Sequence, residues 1–542
     1  MAKVFDVAIV GFGPAGAVAA GLLGSQGLKV FVCDKALDVY ELPRAFALDH
    51  EIMRVFQQLG IAEAVLEFAE PFTPSEFYGV DGQLIKRFTT VEPPYPLGFV
   101  PSLVFSQPPV ERILRAKVQT LPSVEIALGY ELTGLQQDNT QASLQLRKVA
   151  ELGELGEGSE GSEGSEMGER GDAREVHARY VIGCDGATST VRQAVGITLK
   201  DLGFDQAWLV ADVLVNEQGA AKLPQTSVQY CEPARPSTFL IGPQNHRRWE
   251  ISINPGEDPK QVATPEGTWQ LLSRWITPQD GSLWRQASYR FHALVADEWH
   301  KGRVFVAGDA AHQQPPFLGQ GMCQGIRDVA NLSWKLGAVL RGEASADLLD
   351  TYGQERKAHV TELTTRIKAI GQLVGERDVA AARARDAHLL AECGGVVKSV
   401  PRQNVQPALS GSLFCASTHT ANGSIFPQPW LEQAGQAVRL DVVAGTGWRL
   451  VVSPAAANWA VTLPPWMQLV ALGTQLLERD GVVAQWWQNM NTHTAIVRPD
   501  HYVYGVASNA QALQNDIDAL SKQFFTQQMG REPANRFTKE SA

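Results

Sequence analysis

The chain has 542 residues, of which 44% are hydrophobic and 19% are charged, and its formal net charge is −11. This length allows two to four domains of about 100–200 residues each, and the composition is that of a soluble globular protein rather than a disordered one. The six cysteines form no C-x-x-C pair and no metal-ligand spacing, so we expect a reducing, cytoplasmic location and no metal site. No 18-residue apolar run and no secretion signal is present, which predicts neither a membrane span nor export.

The first 34 residues have the pattern of a dinucleotide-binding βαβ unit. A short apolar strand runs into G-F-G-P-A-G at residues 11–16, an Ala-rich helical stretch follows, and a second strand ends at Asp34. Gly11 permits the tight turn, Gly13 lets the backbone approach a pyrophosphate, and Gly16 lets the helix pack on the strand. The helix N-terminus would face the phosphates, and the Asp34 carboxylate would accept hydrogen bonds from a ribose.

Much of the negative charge lies in one Gly-, Ser- and Glu-rich segment. A glutamate recurs at every third position from Glu151 to Glu169, and Arg170 is the only base between residues 151 and 172. This composition predicts a disordered acidic loop at 150–174. An inserted surface loop is the simpler interpretation, and a docking site for a basic partner is the alternative. The rest of the chain is nearly balanced in charge, so we expect no nucleic-acid partner.

Two later strands also end in turns that are typical of nucleotide sites. Residues 180–184 form an apolar strand before Asp185-Gly186, and residues 303–307 form another before Gly308-Asp309. Gly319-Gln320-Gly321 then precedes a helix that we predict from Met322 to Leu340. Each turn alone is ordinary, but the three motifs in this order point to one dinucleotide site.

Together these motifs resemble the FAD-dependent aromatic hydroxylases, the single-component flavoprotein monooxygenases, in the branch that includes phenol hydroxylase and 3-(3-hydroxyphenyl)propionate hydroxylase. The segments that carry the resemblance also include PRAFALDHE (43–51), CEPARP (231–236), HRRWEISINPGED (246–258) and LDTYGQER (349–356). The resemblance implies FAD as the cofactor and NADH, or alternatively NADPH, as a co-substrate. The residues that it implies for FAD binding are Gly11, Gly13, Pro14, Ala15, Gly16, Asp34, Lys35, Arg44, Gln107, Asp185, Asp309, Pro316, Gly319, Gly321 and Met322.

The resemblance also implies an α/β fold with three domains. A Rossmann-like FAD-binding domain of the para-hydroxybenzoate hydroxylase type would comprise 1–75, 101–195 and 296–385. Residues 76–100 and 196–295, where apolar and polar residues alternate, would form an antiparallel substrate-binding sheet.

The third domain, at 400–542, is expected to be thioredoxin-like. It lacks C-x-x-C, so we expect no thiol chemistry, and the family resemblance suggests a homodimer through this domain. Within it we predict a strand at 448–452 and a helical run that ends near Glu478.

The implied reaction is hydroxylation of a phenolic substrate by O2, through a C4a-hydroperoxide of the reduced flavin, in a pocket kept dry by residues 315–319. The candidate acid–base groups are His50, His312, Tyr230 and Asp49, and for each His a structural hydrogen bond is the alternative. A substrate carboxylate can be matched to Arg247 or Arg248, although a surface role is the alternative, and we expect Trp249 in the core.

Two other functions stay open at the level of sequence. One is a different FAD enzyme on the same scaffold, such as a halogenase, an epoxidase or a reductase, although the halogenase motif W-x-W-x-I-P is absent. The other is a non-catalytic FAD-fold binding protein.

Overall fold

The structure is a computed structural model that describes residues 3–149, 173–474 and 476–524. The described residues of 1–92, 99–330 and 359–407 form one unit, and those of 93–98, 331–358 and 408–542 form a second. The predicted acidic loop lies outside the described residues up to residue 172, and residues 173 and 174 already belong to a strand. The domain boundaries given above stay predictions.

The N-terminal sheet of the first unit is centred on the strand Val4–Val10, which pairs in parallel with a neighbour on each side. In spatial order its strands are His300–Lys301, Val304–Val306, Ala173–Gly183, Val4–Val10, Val30–Asp34 and Val124–Leu128, with Ala142–Lys148 and Tyr130–Gln137 attached by antiparallel pairing. The helix Pro14–Ser25 follows the first strand, and Pro14 suits its start because the first helical N–H has no partner to lose. The expected Rossmann-like βαβ unit is confirmed.

A large, mostly antiparallel sheet also lies in the first unit. In spatial order its strands are His312–Gln313, Gly281–Ala296, Leu199–Val215, His246–Ser252, Ser237–Ile241, Ser227–Tyr230, Ser75–Tyr78, Leu84–Thr89 and Ser399–Pro401. The expected antiparallel sheet, with strands contributed from residues 76–100, is therefore present.

The two faces of this large sheet carry different side chains, because successive residues of a strand point to opposite sides. One face packs its apolar side chains, including Leu209, Phe239 and Trp249, against the helix Pro265–Leu272. Trp249 is fully buried there, as expected. The opposite face lines a cavity.

The other elements described up to residue 407 are a small sheet, helices and 3-10 turns, of which residues 331–358 belong to the second unit. A small sheet is formed by Ala47–Asp49, Ser102–Phe105 and Ala69–Pro71. The other helices described up to residue 407 are His50–Gln58, Ala62–Leu66, Gln107–Gln119, Thr190–Ala194, Glu217–Lys222, Pro259–Val262, Gly321–Leu340, Asp350–Val374 and Val379–Glu392, and the 3-10 turns are Gly308–Ala310, Ala346–Leu349 and Arg402–Val405.

The second unit contains a mixed sheet with the strand order Met467–Ala471, Trp448–Val452, Thr494–Val497 and Val503–Gly505. The first pairing is parallel and the other two are antiparallel, which agrees with the expected thioredoxin-like arrangement. The helices Leu440–Ala444, Val482–Met490 and Ala510–Phe524 and a smaller sheet of Gln436–Arg439, Trp430–Gln433 and Leu477–Glu478 complete its described elements after residue 408.

The predicted helical run ending near Glu478 is wrong. The apolar stretch forms the strand Met467–Ala471, which pairs with Trp448–Val452, and the helix begins only at Val482. A short apolar run between prolines and a glycine fits a buried strand as well as a helix, and periodicity alone does not separate the two.

A network of ionised side chains is buried in the second unit. The Glu355 carboxylate accepts hydrogen bonds from Lys335 Nζ at 2.8 Å and from Arg498 Nη2 at 2.7 Å, and Arg498 also bonds to Asp500 at 2.7 Å. Lys335, Glu355 and Arg498 are fully buried. These charges therefore depend on one another for compensation.

No helix among the described residues is long and apolar enough to cross a membrane. The same residues contain no cluster of three or more His, Cys, Asp or Glu side chains arranged to hold a metal ion.

Candidate functional site

A cavity of about 1210 Å³ in the first unit brings together the glycine turn, the later Asp-Gly and Gly-Asp turns and one face of the large sheet. Such a volume is larger than a typical small-molecule pocket of about 300–1,000 Å³. The cavity therefore has room for an extended cofactor together with a small substrate.

The glycine turn at residues 11–16 forms one end of this cavity. Gly11 has a φ of +98°, and a Cβ there would lie 2.3 Å from the carbonyl oxygen of Cys184. A Cβ on Gly16 would lie 1.9 Å from the carbonyl oxygen of Gly11, whereas a Cβ on Gly13 would meet no protein atom within 4 Å. Gly13 therefore leaves an open cradle at the N-terminus of the helix, where a phosphate group can approach the backbone.

Asp34 lies beside the turn at the end of the next strand and also lines the cavity. One carboxylate oxygen accepts a hydrogen bond of 2.6 Å from the backbone N–H of Phe12, and the other accepts one of 2.8 Å from Ala36. A carboxylate has about four acceptor positions, so two backbone bonds leave capacity for ribose hydroxyls.

The segment from Pro43 to Ala45 forms another part of the cavity wall, and side chains of other elements bind its backbone groups. Gln107 Oε1 accepts hydrogen bonds from the backbone N–H groups of Arg44 at 3.1 Å and Ala45 at 2.6 Å. Arg248 donates to the carbonyl oxygens of Arg44 at 2.9 Å and Pro43 at 3.2 Å. These bonds fix the backbone of the segment, while the Arg44 side chain lines the cavity.

The structure gives Arg248 a structural partner rather than a free guanidinium. Its Nε and Nη2 bind the buried carboxylate of Asp212 at 2.7 Å and 3.0 Å. Arg247 donates to backbone carbonyl oxygens and does not line the cavity. Neither arginine therefore offers the free cation that we considered for a substrate carboxylate.

The turn at Gly308-Asp309 projects Asp309 into the cavity. Burial raises the pKa of the Asp309 carboxyl. Asp185, in the other predicted turn, also lines the cavity, and its carboxylate accepts hydrogen bonds from Ser189 Oγ at 2.5 Å and from the backbone N–H of Val191 at 3.0 Å. Burial raises the pKa of the Asp185 carboxyl as well.

The helix Gly321–Leu340 begins at the cavity, so its positive end faces the cavity interior. The loop before it, from Pro315 to Gly319, lines the same space. Gly319 has a φ of +62°, and a Cβ there would lie 2.9 Å from the Cβ of Ala47, so this turn favours glycine.

Most of the residues predicted to bind the cofactor line this one cavity. The predicted residues that line the cavity are Gly11, Gly13, Pro14, Ala15, Asp34, Lys35, Arg44, Gln107, Asp185, Asp309, Pro316, Gly319, Gly321 and Met322. Gly16 lies behind the turn, against Gly11. An open phosphate cradle, a ribose acceptor and a helix N-terminus in one cavity fit FAD, although the cofactor role of each residue stays a prediction.

The three residues predicted to be catalytic do not line the cavity. Tyr230 points to the opposite face of its strand, where its hydroxyl accepts a hydrogen bond of 3.2 Å from Trp275 Nε1. The neighbouring residue Gln229 lines the cavity instead. His312 is buried behind the Gly308 turn and binds Asp328 at 2.8 Å. Their catalytic roles stay predictions.

His50 lies in a buried polar cluster next to the small sheet. Burial lowers the pKa of His50 to about 4, so the imidazole is neutral at pH 7. The adjacent Asp49 carboxylate caps the helix His50–Gln58 and is bonded to Arg327. Neither His50 nor Asp49 reaches the cavity wall.

Sequence reasoning missed the residues of the large sheet that face the cavity. The aromatic wall consists of Phe77, Phe88 and Phe291 from this sheet, of Phe72, and of Phe317 from the loop 315–319 that the sequence already indicates as part of the pocket. The polar residues on the same wall include Gln229, Thr238 and Glu250. The sequence feature that could have indicated Glu250 is its position inside the apolar segment W-E-I-S, because a glutamate is seldom fully buried unless it is paired or functional.

Comparison with known proteins agrees with this geometry. A family model described as FAD binding domain matches residues 4–367. The chain is 34% identical over 527 residues to the probable NADH-specific resorcinol 4-hydroxylase of Rhodococcus jostii (strain RHA1), covering 94% of this chain and 93% of that protein. It is 31% identical over 532 residues to the 3-(3-hydroxy-phenyl)propionate/3-hydroxycinnamic acid hydroxylase of Burkholderia cenocepacia (strain HI2424), covering 92% of this chain and 93% of that protein.

Solved structures show the same fold. The flavin-dependent monooxygenase PieE, crystallised with FAD and substrate, superposes with a TM-score of 0.75 at 21% identity, over 96% of this chain and 99% of that chain. From the family match and from two relatives that span almost the whole sequence, we conclude that this chain belongs to the family of FAD-dependent aromatic hydroxylases.

Proposed function

We propose that the protein is a flavoprotein monooxygenase that hydroxylates a small phenolic substrate, with NADH as the reductant and O2 as the oxidant. The observation that carries the proposal is a single cavity in which dinucleotide-binding turns meet an aromatic wall with a few polar groups. The similarity to a probable NADH-specific resorcinol 4-hydroxylase and to a hydroxyphenylpropionate hydroxylase supports a phenolic substrate, and the first of these relatives supports NADH as the reductant.

The residues at the glycine-turn end hold the cofactor in this proposal. Gly13 and the N-terminus of the helix Pro14–Ser25 would receive the pyrophosphate, Asp34 would accept hydrogen bonds from the ribose, and Asp309 would help to hold the flavin part of the cofactor. Bound FAD supplies electron transfer from the nicotinamide and activation of O2 for insertion into an aromatic ring. The positive end of the helix Gly321–Leu340 stabilises negative charge at the opposite edge of the cavity.

The substrate half of the cavity is built to exclude water. Phe317 packs edge-on against Trp208, with ring centroids 5.4 Å apart, and against Phe204 at 5.9 Å. Phe317 and Leu318 are 8% and 7% exposed, so the loop from Pro315 to Gly319 presents an apolar surface to the cavity. A dry site strengthens electrostatic interactions and limits side reactions with water.

Arg402 bears on the choice between simple and carboxylated phenols. It lines the cavity, donates a hydrogen bond of 2.6 Å to the Leu318 carbonyl oxygen, and lies 4.1 Å from the ring centroid of Phe72. Burial lowers its pKa to about 10, which leaves the guanidinium charged at pH 7. Resorcinol is therefore the first probe, and 3-(3-hydroxyphenyl)propionate tests whether Arg402 accepts a carboxylate tail.

The test uses purified protein with its visible spectrum, NADH consumption, H2O2 release and product mass as readouts. We expect bound flavin, NADH oxidation stimulated by at least one phenol, and a product that gains one atom of oxygen from 18O2. Flavin without a hydroxylated product from any phenol would favour another FAD enzyme such as a halogenase, an epoxidase or a reductase. A protein that binds FAD but is not reduced by NADH or NADPH would favour a non-catalytic FAD-fold protein.

We also infer a cytoplasmic location, because that compartment supplies NADH. Homodimer formation through the second unit is a further proposal, which light scattering of the purified protein tests. An elution mass of one chain at all concentrations would exclude it.

A further inference from the structure

Glu250 occupies the centre of the cavity-facing side of the large sheet. It belongs to the strand His246–Ser252 and lies opposite Val210 on one neighbouring strand and Thr238 on the other. Paired residues of adjacent strands point to the same face. Glu250 is 4% exposed and lines the cavity, so its buried carboxylate belongs to the cavity wall.

Within the described residues, the Glu250 side chain has no hydrogen-bond donor and no ion-pair partner. Arg248 lies two residues earlier on the same face, but its Nε and Nη2 are committed to Asp212 and its Nη1 to a backbone carbonyl. A buried carboxylate without a partner is costly, so natural proteins seldom retain one that has no function. The missing donor is therefore expected to come from a ligand.

Burial and the neighbouring charges determine the pH at which the Glu250 carboxyl group gains or loses its proton. Burial raises the pKa of the Glu250 carboxyl to about 7, while Arg248 lowers it and Asp212, on the strand Leu199–Val215, adds to the rise. The facing residues on the two strands to the other side, Thr238 and Gln229, are uncharged. A carboxylate with this pKa can accept a proton near neutral pH and release it again.

The polar neighbours of Glu250 favour a hydroxyl group as the ligand. Thr238 donates its hydroxyl proton to Gln229 Oε1 at 2.6 Å. Thr238 is thereby left as an acceptor beside Glu250, and both acceptors require a donor on the ligand. A phenolic O–H supplies such a donor, and the aromatic wall accommodates the ring that carries it.

We propose that Glu250 is the catalytic base that removes the proton from the phenolic hydroxyl of the substrate, a role that rests on the hydroxylase function proposed above. The O–H bond breaks, its electron pair stays on the substrate oxygen, and the proton converts the Glu250 carboxylate to a carboxylic acid. The phenolate places electron density on the ring carbons ortho and para to the oxygen, which makes them better nucleophiles. The proton returns when the product hydroxyl is re-formed.

The experiment compares wild type, Glu250→Gln and Glu250→Asp with resorcinol as the probe. In wild type we expect kcat for hydroxylated product to rise with pH through about 7. In E250Q we expect kcat at pH 7 to fall by about 10²- to 10⁴-fold, the usual loss of a general base. The variant should regain product only as resorcinol ionises by itself, near the usual phenol value of about 10. NADH use should continue with more H2O2, and E250D should restore part of the product.

A second signature separates proton removal from simple binding. The defect of E250Q should shrink for fluorinated phenols, which ionise at lower pH and need less help from a base. A variant that raises KM but keeps the wild-type kcat, pH profile and response to fluorination would overturn the proposal. The matched control is Glu232→Gln, a partly exposed carboxylate paired with Arg274 outside the cavity, which should behave as wild type.

Product formation by flavin-containing wild type and E250Q distinguishes the failure of the proposed function from the failure of the proposed role of Glu250. If wild type binds FAD but forms no product from any phenol, the proposed function fails. If wild type hydroxylates resorcinol and E250Q, with full flavin content, does so at the same rate and with the same pH profile, only the role of Glu250 fails.

Discussion

One oxygen of Asp328 accepts a hydrogen bond of 2.9 Å from the backbone N–H of Gly308. The same oxygen is bonded to His312 Nε2 at 2.8 Å, and the His312 ring stacks on Trp299 with centroids 5.6 Å apart. Gly308 has a φ of +62°, so this buried contact holds a turn that would otherwise have many conformations. Asp328 and His312 therefore position Asp309 from behind the cavity wall.

Replacing Asp328 with Asn should weaken FAD binding. The amide offers a neutral acceptor in place of a charge-assisted one, and the loss of such a bond costs about 1.5–3 kcal/mol, or at least tenfold in affinity. Fluorescence titration of the apoprotein with FAD measures the effect. Asp297→Asn, which alters an exposed bond to Thr198, is the control.

The same titration separates two roles for His312. As a positioning residue, H312Q should weaken FAD binding and leave the pH profile of the remaining product formation unchanged. Full FAD affinity together with uncoupled NADH oxidation would instead support the acid–base role predicted from the sequence.

Replacing Gly13 and Gly16 with alanine should affect different properties of the protein, namely FAD binding in the first case and also folding stability in the second. A Cβ at Gly13 meets no protein atom, so G13A should unfold at the wild-type temperature but bind FAD weakly, because the methyl group occupies the phosphate cradle. A Cβ at Gly16 would overlap the carbonyl of Gly11 at 1.9 Å, so G16A should also lower the melting temperature of the apoprotein. Equal melting temperatures for the two apoproteins would contradict this assignment.

The buried network of the second unit should make stability depend on acid pH. Burial disfavours the Glu355 carboxylate, but Arg498 and Lys335 outweigh it and hold the pKa at about 2, below the usual 4.5. A carboxyl with a lowered folded-state pKa stabilises the protein above its usual pKa and loses that contribution as the pH falls from about 5 towards 2.

Glu355→Gln should therefore lower the free energy of unfolding at pH 7 by about 3–5 kcal/mol, since it leaves buried cations with less compensation. Urea unfolding at several pH values measures this, and the difference from wild type should narrow as the pH drops towards 2. Glu343→Gln, which breaks an exposed pair with Arg341, should change stability by less than about 1 kcal/mol. A wild-type unfolding midpoint for E355Q at pH 7 would disprove the importance of the network.

Removing residues 151–172 should leave turnover unchanged. Arg147 and Ala173 lie directly opposite each other on antiparallel strands, so a short Gly-containing turn can join the two strands. Loop-closure entropy grows only logarithmically with length, so stability should change by about 1 kcal/mol. A large fall in product per NADH would indicate that the acidic segment takes part in catalysis, and loss of a basic partner in a pull-down would favour the docking interpretation.

The cofactor end of the cavity could be predicted from the sequence because its signals are local. Each turn directly follows an apolar strand, and the residues that matter lie within a few positions of one another, as at 11–16. The position of Asp328 behind Gly308 could not be predicted in this way, since the two residues are 20 positions apart and no motif connects them.

The substrate end could not be predicted because both faces of its strands are buried. Gln229 and Tyr230 are adjacent, and only the direction of the strand decides which of them meets the cavity. In a strand with one solvated face, polarity would reveal the inner side, but here it does not. Glu250 could not be predicted for a related reason: it follows Arg247 and Arg248 closely in the sequence, and nothing in the sequence shows that these arginines leave its carboxylate unpaired.

The second unit is assembled from three separate stretches, residues 93–98, 331–358 and 408–542. A gene that stopped after residue 407 would thus not encode a shortened but self-sufficient protein: the buried Glu355 would be synthesised without Arg498, the cation that binds both Glu355 and Asp500. During synthesis on the ribosome, Lys335 and Glu355 emerge more than 140 residues before Arg498. Among relatives, substitutions in the three stretches should accordingly be inherited together rather than one at a time.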